Sequence, residues 1–407
     1  MALHGITLTA GGAERVRAGH PQLPVSDIAP GGAALEPGRP VRFFSGTGQP
    51  LGAGVADPEN DLLRVWLGGA EPAEARAFDA AFFRQRLRAA LALRQTLGLA
   101  DGESAYRLFN GEGDGLSGLA ADVYGPFVVA TALSRGLVGH ARALGDAAMA
   151  VFAEAGLPLR GGVVKARLKA QGARPERAQD QVFGEEPPEI LIVRERGVPF
   201  EVHLRGGINV GLFSDMREHR AGLARFVRGQ RVLNTFAYTG ALSVAAARAK
   251  ASRVVSVDLA AGPLAWAREN VRLSGLDPEA ATFRWPVDDV FRFLEAERAR
   301  GETHDVIILD PPTVSGARAA AWTAKRDYPE LIAAACALLP EHGGHLWVSA
   351  NNHSGPSVLK HVGAGLALAR RTGAILELGG LPPDFPTPAH WPAARYLEVC
   401  QLRVLPR

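Results

Sequence analysis

Residues 232–240 read Val-Leu-Asn-Thr-Phe-Ala-Tyr-Thr-Gly, and this stretch decides the fold. A short apolar run enters a turn that ends on Gly240, and the alanine-rich segment 241–249 behind it has helical spacing. Strand, tight turn and helix in that order open a βαβ unit. Working outward, the alternation repeats. Val232-Leu, Arg253-Val-Val-Ser-Val, Asp305-Val-Ile-Ile-Leu and His345-Leu-Trp-Val-Ser read as buried strands, with helices expected over 241–249, 263–273, 287–298 and 328–339. Strands that alternate with helices imply a parallel sheet with crossovers.

Three features of this region carry chemistry. The turn from Asn234 to Gly240 can bring backbone N–H groups and a helix N-terminus to a carboxylate or phosphate. It holds one glycine where the dinucleotide fingerprint has three, which argues against a nucleotide-dependent oxidoreductase on the same scaffold. Asp258 ends Val254-Val-Ser-Val-Asp, 24 residues after Asn234, where an acid can accept hydrogen bonds from a ribose diol. Each feature alone is equally a plain βα turn or a helix-capping aspartate. Together, in this order, they favour an adenosine-containing ligand. Third, Ile307-Ile-Leu-Asp-Pro-Pro-Thr sets Asp310, Pro311 and Pro312 at a strand's C-terminal end, beside the crevice where open α/β sheets take ligands.

Upstream the character differs. Residues 1–70 read as short strands between Gly/Pro turns, most economically a small β-barrel. Residues 79–205 read as a compact α+β domain, with helices near 78–97 and 138–155 and strands at Phe127-Val-Val-Ala-Thr-Ala, Ile190-Leu-Ile-Val and Phe200-Glu-Val-His-Leu. At 407 residues, 47% hydrophobic and 21% charged, the chain is long enough for several domains with real cores. The net charge of +3 does not demand nucleic acid, so a basic surface would have to be local. Arg160, Lys165, Arg167, Lys169, Arg174 and Arg177 form a basic cluster, readable as an RNA track or as a solvated face. Asn110-Gly-Glu-Gly-Asp-Gly imitates a calcium loop, but the twelfth position is Ala121 where that loop needs Glu, so no metal is expected. Two cysteines cannot build a disulfide framework or a Cys-rich zinc site. No apolar run reaches the roughly 18 residues of a membrane helix, and the start lacks the regions of a signal peptide. A cytoplasmic protein is expected.

The three C-terminal motifs resemble those of class I S-adenosylmethionine-dependent methyltransferases. Glu14-Arg-Val-Arg-Ala-Gly-His-Pro resembles the opening of a PUA domain, an RNA-binding barrel. Phe109-Asn-Gly-Glu-Gly-Asp-Gly-Leu-Ser-Gly-Leu-Ala-Ala-Asp-Val-Tyr-Gly and Gly211-Leu-Phe-Ser-Asp-Met-Arg-Glu-His-Arg are similar to segments of the ribosomal RNA large subunit methyltransferase I family, which methylates cytosine at carbon 5. The resemblance runs along essentially the whole chain. It implies an α/β fold: a Rossmann-like class I methyltransferase domain at 206–407, preceded by an N-terminal PUA β-barrel at 1–70 and a small α+β middle domain at 79–205. The implied cofactor is S-adenosylmethionine. Phe213, Asp215 and Arg217 would flank its methionine and sulfonium side. Asn234, Phe236, Tyr238 and Gly240 would form the loop near the methionine portion. Asp258 would meet the ribose, Asp289 the adenine, and Asp310 would border both cofactor and target base. The implied partner is 23S ribosomal RNA or its precursor, contacted by Arg15, Arg17, His20, Lys165, Arg167 and Lys169, with a homodimer left open and no membrane.

One departure bears on the chemistry. Carbon 5 of cytosine is a poor nucleophile until a thiolate adds to carbon 6, which requires a placed cysteine. The resembled family would carry it in a Ser-Cys-Ser-His-His segment. This chain reads Val348-Ser-Ala-Asn-Asn-His, with Ala350 at the cysteine position. Cys336 sits in an apolar helical pattern and Cys400 in a terminal strand, and neither reads as a substitute. Three readings follow: methylation of an exocyclic amine, with Asp310 and the carbonyls of Asp310-Pro311-Pro312 as the catalytic group that accepts its hydrogen bonds, replacement of the thiol by another residue, or an RNA-binding assembly factor that keeps the cofactor pocket without turnover. Thr313 stands where amine methyltransferases commonly carry an aromatic residue after Asp-Pro-Pro.

Overall fold

The computed structural model describes residues 3–30, 35–68, 78–168, 179–312, 314–315, 322–351 and 356–406. The chain forms two compact units. One comprises Met1–Arg196, Val202–Val210 and Pro383–Ala394, and the other Gly197–Glu201, Gly211–Pro382 and Arg395–Arg407.

The second unit is built around the strand, turn and helix of residues 231–248. Arg231–Thr235 is an interior strand of a seven-stranded sheet, parallel to Arg253–Val257 on one side and to the central strand Val306–Leu309 on the other. Val232, Leu233, Val254, Val255, Ile307, Ile308 and Leu309 are all fully buried, because helices cover both faces of a parallel sheet. Outward the order continues to Phe283–Arg284 on the first side. On the other side it runs through Gly344–Asn351, Leu397–Val404 and Gly373–Gly379, with Leu397–Val404 antiparallel to both of its neighbours. The chain therefore reverses its direction of winding between Arg231–Thr235 and Val306–Leu309, and a crevice opens beyond their C-terminal ends. Two expected helices shift. The one placed at 287–298 begins at Val290, because the Asp289 carboxylate accepts the N–H groups of Phe291 and Arg292 as its N-cap. The one placed at 328–339 runs Ala324–Cys336.

The first unit holds two five-stranded sheets. In one, His4–Thr7 lies parallel to Pro40–Phe44, followed by Pro50–Asp57, Leu62–Leu67 and Gln22–Pro24, around a core of Val16, Leu23, Phe43 and Leu63. In the other, the order is Gln181–Gly184, Gly161–Ala166, Phe127–Ala132, Leu119–Tyr124 and Ala105–Asn110. Helices Ala80–Thr96 and Val138–Glu154 cover this sheet, burying Phe83, Leu87, Leu144 and Phe152 against Tyr106, Phe109 and Val128.

The Asn110–Gly115 segment is a socket for the chain's own C-terminal excursion. Arg94, fully buried, forms a two-pronged pair with Asp114 at 2.9 and 2.8 Å and donates to the Asp384 carbonyl at 2.6 Å. The Arg107 N–H donates to the Asp384 carboxylate at 3.0 Å, and its guanidinium lies 4.4 Å from the Phe385 ring centroid. Asn110 donates to the Pro386 carbonyl at 2.8 Å, and a Cβ on Gly113 would fall 1.8 Å from that same oxygen. Among the described residues, no helix is long and apolar enough to cross a membrane.

Candidate active site at the switch point

The loop after Arg231–Thr235 carries positive φ at Phe236 (54°), Tyr238 (48°) and Gly240 (73°). For non-glycine residues this conformation costs about 1–3 kcal/mol and persists only where the surroundings over-determine it. Here they do. The Asp258 carboxylate accepts the Tyr238 N–H at 2.9 Å, Ala237 N–H reaches Val257 O at 3.0 Å, and Thr239 Oγ1 donates to Gly211 O at 2.5 Å. Gly240 also has a packing reason, since a Cβ there would lie 2.6 Å from that of Ala267. Asn234 is buried beneath the loop, donating to Ser243 Oγ at 2.8 Å, while its Oδ1 is buried with no partner among the described residues.

The Gly211–Arg220 segment borders this loop. Phe213 is 41% exposed, with its ring centroid 5.5 Å from that of Tyr238. Asp215 accepts a hydrogen bond from Tyr396 OH at 2.9 Å, and Arg220 donates to Phe213 O at 2.7 Å. Arg217 is buried, beside Glu218 at 3.4 Å.

At the end of Arg253–Val257, Asp258 uses one carboxylate oxygen for Tyr238 and the other for Ala260 N–H at 3.0 Å. A carboxylate has about four lone-pair positions, so capacity remains for a diol. Val287 forms a bridge with Asp258, and Asp288 N–H donates to Asp258 O at 2.9 Å, which brings the 287–289 segment to the same rim. Leu259 and Val287 are half-exposed at this rim, a pair of apolar side chains suited to the faces of a purine. Sequence reasoning missed both; the only signal was a large apolar residue on each side of a polar strand end. An acid with spare acceptor capacity, exposed apolar surface and a left-handed backbone turn lie on one rim, a donor and acceptor set that fits the chemistry of S-adenosylmethionine.

Across the switch point, Ser349 Oγ donates to Asp310 Oδ1. Burial and the neighbouring Asp215 charge push the Asp310 carboxyl up to about 6, against the Ser349 hydrogen bond and Arg220, which favour the charged form. Pro311 is buried and Pro312 exposed; Thr313 lies outside the described residues. Ala350 is buried in the apolar cluster that contains Val348, Leu331 and Val358. Cys336 and Cys400 are buried as well, and burial pushes both thiols up to about 11. A thiol with that pKa is almost entirely protonated at neutral pH, so neither is a poised nucleophile.

The candidate RNA contacts separate into exposed and enclosed residues. Arg15 pairs with Asp27 at 2.5 Å, Arg17 reaches Gln49 at 3.5 Å, and His20 meets the Trp391 ring edge-on at 4.8 Å. Lys165 departs from expectation. It sits in Gly161–Ala166, a strand enclosed on both faces, and its ammonium donates to Gly207 O and faces Asp180 at 3.4 Å. Its sequence neighbours in the basic run suggested a solvated cation; the strand's burial turns it into an internal tie. Arg167 is exposed and lines a cleft of about 490 Å³ with Asp180, Glu186 and Arg205. Arg160 pairs with Glu185. Lys169, Arg174 and Arg177 lie outside the described residues.

Comparison with known proteins agrees with this geometry. Residues 155–396 match the profile of an S-adenosylmethionine-dependent methyltransferase family, and residues 6–67 that of a PUA-like domain. The ribosomal RNA large subunit methyltransferase I of Salmonella arizonae is 34% identical over 372 residues, 91% of this chain and 90% of its own length. That of Escherichia coli K12 is 35% identical over 370 residues, 90% of this chain and 91% of its own. A solved structure of a candidate S-adenosylmethionine-dependent methyltransferase from Streptococcus mutans, 25% identical, superimposes with a TM-score of 0.83 over 98% of this chain and 100% of its own. A candidate methyltransferase complexed with S-adenosylhomocysteine, 24% identical, gives 0.84 over the same shares. The protein is a PUA-like domain joined to an S-adenosylmethionine-dependent methyltransferase, and it belongs to the ribosomal RNA large subunit methyltransferase I family.

Proposed function

We propose that the protein methylates a base of 23S ribosomal RNA, cytosine being favoured, at an exocyclic amine and without a thiolate adduct. The observation that supports this reading is a pairing: Ala350, where the resemblance would put the thiol, is buried in an apolar cluster, and Asp310 stands at the strand end with its carboxyl pushed up to about 6. The names of the relatives supply the RNA class.

When bound, S-adenosylmethionine supplies an electrophilic methyl group whose bonding pair leaves with a neutral thioether. Phe213, Asp215, Arg217 and the 234–240 loop would hold its methionine end, Asp258 its ribose, and Leu259, Val287 and Asp289 its adenine. The 1–70 barrel, through Arg15, Arg17 and His20, and the 79–205 domain, through Arg167, would hold RNA, and the target base leaves its stack to be reached. Asp310, its Oδ1 occupied by Ser349, would accept the amine N–H at Oδ2, aim the nitrogen lone pair and take the proton released. That role needs the carboxylate. Because burial raises the pKa, turnover falls as pH drops through about 6, two units above an ordinary aspartate.

Mass spectrometry of nucleosides from 23S rRNA incubated with protein and cofactor tests the reading. N-methylated cytidine is expected. Carbon-5 methylcytidine, with a covalent complex on 5-fluorocytidine RNA that disappears in Cys336→Ser or Cys400→Ser, would overturn it.

A further inference from the structure

The parallel ladder between Val306–Leu309 and Gly344–Asn351 has its last registered pair at Leu309 and Val348. The next residues on each strand are Asp310 and Ser349, and there a side-chain bond takes over from the ladder: Ser349 Oγ donates to Asp310 Oδ1. Behind them Tyr328 places its hydroxyl between two carbonyls, reaching Leu309 O at 3.0 Å and Ser349 O. Ser349 and Tyr328 are each 1% exposed, so neither hydroxyl has bulk water as an alternative partner. A Ser–carboxylate bond in an enclosed site is a charge-assisted one and fixes the rotation of the carboxyl plane. A freely rotating carboxyl would present either oxygen. Tied at Oδ1, it presents one.

We propose that Ser349 is a positioning residue for methyl transfer, holding Asp310 in one rotamer with Oδ2 toward the target amine, and that Tyr328 locks the two strand ends on which this pair stands. The inference rests on the reading of Asp310 given above. Among the described residues, the charged groups facing Asp310 are Asp215, which disfavours its ionisation, and Arg220, which favours it; the Ser349 hydrogen bond adds to the Arg220 side. Loss of that bond therefore moves the Asp310 titration upward.

The test is a set of pH–kcat profiles on full-length protein with 23S rRNA, alongside S-adenosylhomocysteine binding by calorimetry. Ser349→Ala should lower kcat about tenfold or more. Its acid limb should move up by about one pH unit from about 6, with S-adenosylhomocysteine affinity within twofold of the parent. Ser349→Thr, which keeps the hydroxyl, should restore both rate and limb. Tyr328→Phe should lower kcat less and leave the limb in place. Asp310→Asn is run in parallel. If it retains parental turnover, the reading of Asp310 fails. If it is inactive while Ser349→Ala keeps the parental rate and limb, the positioning role alone is overturned. A Ser349→Ala variant that loses cofactor binding as well, unrescued by threonine, would make Ser349 a structural residue and also overturn the proposal.

Discussion

Two acidic, glycine-bearing regions look alike in the sequence and differ in kind once folded: the Asn110–Gly115 socket and the switch-point crevice. In the socket the acids are held by donors of the fold itself, Glu112 by the Ser117 hydroxyl at 3.0 Å. Arg94 satisfies Asp114, Arg107 satisfies Asp122 at 2.7 Å, and the Asp384 carboxylate takes the Arg107 N–H. The crevice keeps unspent capacity. Its loop holds positive φ at Phe236 and Tyr238, Asn234 Oδ1 has no partner among the described residues, and Asp310 titrates near 6. Phe213, Leu259 and Val287 expose apolar surface there. Saturated polar networks specify a structure. Residual acceptors, strain and a shifted pKa mark the place prepared for a ligand.

The comparison breaks first at Asp310. Asp310→Ala should reduce turnover by about 10²–10⁴, the usual worth of a positioned acid–base group, and leave S-adenosylhomocysteine affinity nearly unchanged. Single-turnover methylation and calorimetry on the same preparation check it; parental turnover would make the crevice acid as structural as the socket. Next comes the socket itself. Arg94→Met removes one partner of a pair whose side chains are 0% and 9% exposed. It should cost about 3–5 kcal/mol, because the carboxylate left behind is enclosed and unmatched. Urea denaturation reads the loss. A fully stable variant with impaired RNA binding would move the socket to the functional side. Third, Asp258→Ala should weaken S-adenosylhomocysteine binding by about 1.5–3 kcal/mol through the lost ribose bonds. Part of that effect would pass through the Tyr238 N–H that Asp258 also holds.

How far these differences were legible depends on the range over which each is determined. Val254, Ile307 and Leu309 announce a covered parallel sheet because consecutive branched and aliphatic residues have no other stable home. Asp310-Pro-Pro was legible as a strand end for an equally local reason. The Gly373–Gly379 edge strand was not, since Ile375, Leu376 and Leu378 are all exposed and a bulge between Ile375 and Glu377 breaks the alternation. Nor was the socket's function. Its partner, Asp384, lies 277 residues from Arg107, and nothing local to either announces the meeting. Lys165 was misjudged because a run of cations was weighed by composition, while the strand beneath it enclosed this one. Ser349 carries no sequence signal of its own, because its partner Asp310 lies 39 residues away.

The smallest expected effect sharpens the comparison most, because Asp289 has a foot in both categories. Its Oδ1 accepts the N–H groups of Phe291 at 3.0 Å and Arg292 at 3.2 Å, a saturated capping arrangement like those of the socket. Its neighbours Val287 and Asp288 are tied to Asp258, so the same residue also stands at the rim proposed for the cofactor. Asp289→Ala should cost about 1 kcal/mol of stability by uncapping Val290–Ala299. Asp289→Ser restores an oxygen at the cap position and should return that stability almost fully, since serine caps about as well as aspartate. The serine is too short to offer a second, charged acceptor to an adenine amine. S-adenosylhomocysteine affinity should therefore stay about three- to tenfold weaker in Asp289→Ser than in the parent, even with stability regained. Thermal unfolding and calorimetry on the two variants separate the roles. Parental affinity in Asp289→Ser would assign the carboxylate to the helix alone, and the adenine would then be held by the apolar pair Leu259 and Val287 and by the backbone of the rim.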